Sequence, residues 1–126
     1  MSNKKVKVSE IVIEGVTYVP KGSIEPLAEK KEGMPFVCIR TYSAGVHCGY
    51  LKERNGKEAT LLESIRIHYW SGAASLSQLA MEGVNNPDSC RFAMPVNSID
   101  LTEVIEIIPM TEKAVKNVQN VPTWKK

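Results

Sequence analysis

The sequence predicts an α+β fold, an antiparallel β-sheet with one main helix packed on it and a short C-terminal helix. Three observations lead there. β-Branched and aromatic runs recur along most of the chain, among them Ile11-Val12-Ile13, Phe36-Val37-Cys38-Ile39 and Val104-Ile105-Glu106-Ile107-Ile108; such residues suit a pleated, half-buried surface. Asn55-Gly56 stands between two strand-like runs and is the strongest hairpin signal, since a type I′ turn needs positive φ at both central residues. Helical periodicity is found at residues 72–82 and 112–119, which leaves one main and one short helix to pack on the sheet.

Taken in order, residues 11–13 and 16–19 flank Glu14-Gly15 and stop at Pro20, so residues 1–20 read as an N-terminal β-hairpin. Residues 21–34 are polar and broken by Gly and Pro, which makes them a connector and a flexible boundary with at most one helical turn. Residues 35–126 then form a single α+β domain. Its first strand covers 36–42 and returns through 46–53; strands at 58–63 and 65–70 follow the Asn55-Gly56 turn. The main helix places Ala73, Leu76, Leu79 and Ala80 on one face. Ser71 can cap it, or Ser75 with Gln78 in capping-box spacing if it starts later. Gly83 is a C-cap and Pro87 prevents continuation. Strands at 91–97 and 102–108 precede a helix capped by Thr111, and Trp124 reads as a buried anchor for the terminus.

The chain has 126 residues, with 43% hydrophobic and 24% charged content, which is the composition of a folded domain and not of a disordered one. Its apolar runs are too short to span a bilayer, and Met1-Ser2-Asn3-Lys4-Lys5 lacks the apolar core of a secretory signal. No membrane partner is expected. The net charge of +2 is unevenly placed: residues 35–110 hold six basic and eight acidic residues, whereas 111–126 hold four lysines and one glutamate. A slightly acidic middle speaks against broad nucleic-acid binding, which calls for a basic face over the core.

Cys38, Cys48 and Cys90 form no disulfide framework and fit reduced thiols. His47, Cys48, His68 and Cys90 lack the tight pairs that preorganise zinc, so no metal site is expected. A Cys48 nucleophile would need a base, and His47 points to the opposite strand face, leaving only His68. The chain has no P-loop, no dinucleotide fingerprint and no esterase elbow. The expectation is a protein that is not an enzyme and has no cofactor.

One constellation points to binding. The period of two puts Arg66, His68 and Trp70 on one strand face, and Arg40 with Tyr42 on one face of another. If the faces coincide, they meet near Ser71-Gly72-Ala73-Ala74-Ser75, where small side chains leave first-turn amides open to an anion. Arginine forks suit phosphate and aromatic rings suit a base. The candidate ligand-binding residues are therefore Arg40, Tyr42, Arg66, His68, Trp70, Ser71, Gly72 and Ser75, with a nucleotide-like small molecule as partner. The plainer readings are a close strand-to-helix turn that needs small residues, and an arginine-aromatic face that meets another subunit.

The run Arg40-Thr41-Tyr42-Ser43-Ala44-Gly45-Val46, then Tyr69-Trp70-Ser71-Gly72-Ala73-Ala74-Ser75-Leu76-Ser77-Gln78-Leu79-Ala80, resembles a family of small uncharacterised bacteriophage and prophage proteins. Gly83, Pro87, Cys90 and Phe92, Glu106-Ile107-Ile108-Pro109 and Val121-Pro122-x-Trp124 extend the resemblance over residues 35–126. It implies a non-essential phage protein in the host bacterial cytoplasm and carries over no catalytic residue. Two function classes follow: a phage accessory protein, with counter-defence as one form, that binds an anionic nucleotide-like ligand without catalysis, or an oligomeric phage structural or host-protein-inhibiting interaction protein. A homo-oligomer is expected because sheet edges must be covered, and a host protein is the other partner class.

Overall fold

The structure, a computed structural model, describes residues 11–13, 16–18 and 26–125. β1 (Ile11–Ile13) and β2 (Val16–Tyr18) pair antiparallel as a two-stranded sheet; the rest of the expected N-terminal hairpin and residues 21–25 lie outside the described residues. The main sheet contains β3 (Phe36–Thr41), β4 (Val46–Asn55), β5 (Glu58–Tyr69), β6 (Arg91–Phe92), β7 (Val96–Leu101) and β8 (Val104–Pro109). All its pairings are antiparallel, in the order β6-β5-β4-β3-β8, with β7 beside β5. The α+β class is as expected. The helices are α1 (Leu76–Glu82) and α2 (Glu112–Gln119), seven and eight residues long, so the expected contrast between one main and one short helix is corrected to two comparable ones.

The sheet is curled. β7 lies along β5 and β8 along β3, yet only Thr102 and Glu103 connect them. Flat strands spaced about 4.8 Å apart would separate these edges by roughly 19 Å, and a two-residue link cannot reach that far. Bulges permit the bend: register shifts interrupt the β4–β5 ladder between Cys48 and Tyr50 and between Leu51 and Glu53, and Glu63 sits at φ 51°. That bulge also joins the two strands expected at 58–63 and 65–70 into one. Val104 N–H closes the curl by donating to the Lys57 carbonyl at 2.9 Å.

Both sheet faces are consequently buried, which is why Phe36, Val37, Cys38 and Ile39 are buried in succession without polar alternation. Val37, Ile39, Ala59, Leu61, Leu101 and Val104, drawn from opposite edges of the sheet, pack together inside the curl. Phe36, Cys38, Val46, Cys48, Ile65, Ile67 and Phe92 form the other face, under Leu79 and Ala80 of α1 and Ala114, Val115 and Val118 of α2.

Sequence signals fix the helix ends. Ser75 Oγ accepts from Gln78 N at 3.1 Å, and Gly83 N–H returns to the Leu79 carbonyl at 2.8 Å. The Thr111 hydroxyl donates to the Met81 carbonyl at 2.7 Å and accepts from Ala114 N at 3.0 Å, so one buried side chain ends α1 and starts α2. Thr111→Val keeps the shape and removes both bonds. It is expected to cost about 2 kcal/mol in urea denaturation, each bond contributing roughly 1 kcal/mol.

Three further expectations are corrected. Asn55 pairs with Glu58, so the hairpin loop is Gly56-Lys57; only Gly56, at φ 62°, is left-handed. Glycine at the first central position suits a type II′ turn, one residue along from the expected type I′. The described half of the connector is not a loose boundary: Ala28 N donates to the Met110 carbonyl, Glu112 N to the Pro26 carbonyl, and Lys31 and Met34 exchange backbone bonds around Glu32-Gly33. Residues 96–101 form a strand not expected as such, because Asn97, Ser98 and Asp100 are exposed and polar.

Candidate functional site

The strand registers decide which predicted residues meet. Arg40 pairs with Val46 and Val46 with Ile67, while Ile39 pairs with His47 and His47 with Arg66. Cross-strand partners share a face, so Arg40 and Arg66 stand on opposite faces of the sheet, and their expected convergence is corrected. Arg40 Nε pairs instead with Glu106 Oε1 at 3.1 Å on the neighbouring strand. Tyr42 lies past the end of β3 and is 78% exposed.

The expected anion cradle at residues 71–75 is closed by the protein itself. The helix starts at Leu76, and its approach is an extended turn. Ser75 Oγ takes Gln78 N, and Gln78 Oε1 takes Ala74 N at 2.8 Å. Ser71 Oγ accepts from Asn86 Nδ2 at 3.2 Å. Gly72, at φ 96°, lies so close to the following loop that a Cβ would stand 2.4 Å from Asn85 N. Trp70 is half-buried, packs on the outer-face core and donates its indole N–H to the Ala73 carbonyl at 3.2 Å. Small residues are there for close packing.

His68 does reach a concave surface. A groove of about 760 Å³ is lined by His68, Tyr69, Asp88, Ser89, Cys90, Arg91 and Trp124. β5 and β6 set it up by pairing Tyr69 with Arg91 and Ile67 with Phe92. The C-terminal segment completes it: Thr123 bridges Phe92 in parallel, and Trp124 N donates to the Phe92 carbonyl at 2.9 Å. Trp124 thus ties the terminus through its backbone while its ring is 50% exposed, a correction to the buried anchor expected. The ring meets His68 edge to face, centroids 5.4 Å apart, and the Arg91 guanidinium lies 5.5 Å from its centroid. Tyr69 is 54% exposed on the same groove. Exposed rings grouped with a guanidinium can stack a flat group and attract negative charge. Asp88 adds a carboxylate that can accept from an amino or hydroxyl group.

Arg66 belongs to a different feature. The Arg40–Val46 run folds as the β3–β4 turn, where the Thr41 hydroxyl donates to the Gly45 carbonyl and accepts from Ala44 N, both at 2.8 Å. This turn aims the Ala44 carbonyl at two donors, Arg66 Nη1 and His47 Nε2, each at 2.9 Å. His47 has 0% exposure. Burial first, then the charges of Arg66 and His68, hold its pKa below the usual 6.5, with the Ala44 bond opposing them. The fold therefore favours the neutral ring, and the unfolded chain takes up a proton first as pH falls. The stability this contributes is present above pH 6.5 and is lost as pH drops through 6.5 towards the folded value. The urea midpoint is expected to fall between pH 7.5 and 5.5, and to fall less in His47→Phe.

Cys48 and His47 occupy opposite faces, and Cys48 is fully buried opposite Cys38. The hydrogen bond with Cys38 and then burial push the Cys48 thiol well above its ordinary pKa, which suits a core residue and not a nucleophile. Among the described residues, no three His, Cys, Asp or Glu side chains gather as metal ligands. No helix among them is long and apolar enough to cross a membrane.

Fold and groove define a curled antiparallel α+β domain with two helices on its outer face and an arginine-aromatic groove at one edge. The chain belongs to the family described as a domain of unknown function (DUF6948), whose model matches residues 34–118. That span runs from before β3 into α2 and includes every groove residue except Trp124. Neither the curated proteins nor the solved structures contain a match to the chain.

Proposed function

We propose that this chain is a non-catalytic binding protein that takes a planar, anionic, nucleotide-like molecule in the groove of His68, Tyr69, Arg91 and Trp124. One observation carries the reading: two half-exposed rings and a guanidinium bound a single cavity of about 760 Å³, within the ordinary size range of small-molecule sites. A base stacks on Trp124 or Tyr69, Arg91 holds the phosphate, and Asp88 accepts from an amino edge or sugar hydroxyl. The phage setting and host bacterial cytoplasm implied by the family resemblance accompany this proposal, with capture of a host nucleotide signal as its counter-defence form.

Trp70 and Trp124 are the only tryptophans, so in Trp70→Phe the fluorescence reports the groove alone. Nucleoside phosphates are expected to quench it saturably, and nucleosides more weakly. Equal response to nucleoside and nucleotide would remove Arg91 from the account, and no response to either would remove the groove.

The second reading is a homo-oligomer or host-protein contact at the β7 edge, where Met94 and Val96 are exposed and apolar. Val96→Lys would then lower the assembly mass and leave the Trp124 signal unchanged.

A further inference from the structure

We infer that His47 and Ser64, both buried, form with the half-buried Arg66 a second site for a small oxyanion that still carries a hydroxyl, of the class of hydrogen phosphate or bicarbonate. The site is a cavity of about 90 Å³ lined by these three residues with Ala93, Met94, Val96 and Ile99. It shares no lining residue with the groove, so it stands or falls separately from the function proposed above.

Two buried polar atoms of residues that line this cavity, His47 Nδ1 and Ser64 Oγ, have no hydrogen-bond partner among the described residues. Their residues are 0% and 1% exposed. Native proteins rarely leave buried polar atoms in this condition, and two around one cavity point to an occupant. Its chemistry follows from the partners. A carbonyl oxygen only accepts, so His47 Nε2 carries the proton that bonds Ala44; the neutral ring then presents a lone pair at Nδ1 and needs a donor from the ligand. The one hydrogen bond of the Arg66 guanidinium to a described residue is from Nη1 to the Ala44 carbonyl. No carboxylate among those residues pairs with it, so its charge and remaining N–H groups call for an anionic acceptor. The Ser64 hydroxyl can do either.

The ligand must therefore both donate and accept. A metal cation is repelled by Arg66, and sulfate has no proton for His47. A protonated oxyanion satisfies all three groups. The volume equals that of about three waters at roughly 30 Å³ each, which suits a small oxyacid and is too small for a nucleotide. Met94, Val96 and Ile99 line the rest of the cavity, with Met94 58% and Val96 45% exposed, so a small ion can reach it from solvent.

The test is long-range proton–nitrogen NMR of the His47 ring in the full chain, titrated separately with inorganic phosphate, bicarbonate and sulfate. The expected result is a saturable shift of Nδ1 with phosphate, with bicarbonate or with both, the arms telling the two apart, and none with sulfate. Ser64→Ala removes a hydroxyl without a hydrogen-bond partner among the described residues and so keeps the fold; it and Arg66→Gln should each weaken the response roughly tenfold. Arg91→Ala should leave it unchanged. An unmoved Nδ1 signal in phosphate and bicarbonate overturns the inference. So does an equal response to sulfate, undiminished affinity in Ser64→Ala, or a crystal structure grown in phosphate with ordered water alone in the cavity.

Discussion

Replacing Arg91 and Trp124 together by alanine is expected to weaken nucleotide binding by roughly a hundredfold to ten-thousandfold while the melting temperature stays within a few degrees. Base-on-ring stacking contributes about 1–3 kcal/mol, and a hydrogen bond to a charged group contributes about 1.5–3 kcal/mol; together they give that range. Stability should hold because both side chains are exposed and the bond that fixes the terminus, from Trp124 N to the Phe92 carbonyl, belongs to the backbone. Isothermal titration of the variant beside the unaltered chain, with a circular dichroism melt of each, checks both halves. A melt lowered as much as the affinity would mean the residues hold the terminus and not a ligand.

Gly72→Ala has the largest expected effect on stability. The residue sits at φ 96°, and an added Cβ would lie 2.4 Å from Asn85 N and 2.7 Å from Asn86 N, both backbone atoms that no rotamer change can move. Left-handed strain costs about 1–2 kcal/mol and overpacking about 1–3 kcal/mol. A loss of about 2–5 kcal/mol is expected in urea denaturation, a large share of the roughly 5–15 kcal/mol that holds a domain of this size. A loss below 1 kcal/mol would show that the loop at 85–86 yields, and that glycine is there for another reason.

The same contact marks where reading the sequence stopped short. Local chemistry was legible: Thr111 as a cap, Ser75 with Gln78 at the start of α1, Gly83 at its end, and a hairpin at residues 55–58. These signals act within a few residues, so composition alone reveals them. The site residues depend on pairing between distant strands. The β3–β4 and β4–β5 registers put Arg40 with Val46 and Ile67 on the outer face and Arg66 with His47 on the inner one, and a slip of one residue would exchange those faces. The bulge at Glu63 and the closing contact between Val104 and Lys57 leave no mark in a period-of-two pattern. Only His68 of the expected ligand-binding residues lines the groove. Arg91 and Trp124 were missed as partners because 33 residues separate them and the short parallel bridge between their neighbours Phe92 and Thr123 has no sequence signature. The alternation of exposed Arg91 with buried Phe92 was the one local hint.

The most direct measurement of the groove as a nucleotide-like ligand site is native mass spectrometry of the chain after exposure to a bacterial nucleotide extract, before and after denaturation. A released mass in the nucleotide range is expected, bound by the unaltered chain and absent from Arg91→Ala/Trp124→Ala. A chain that emerges empty, or a ligand retained by the double variant, would contradict it.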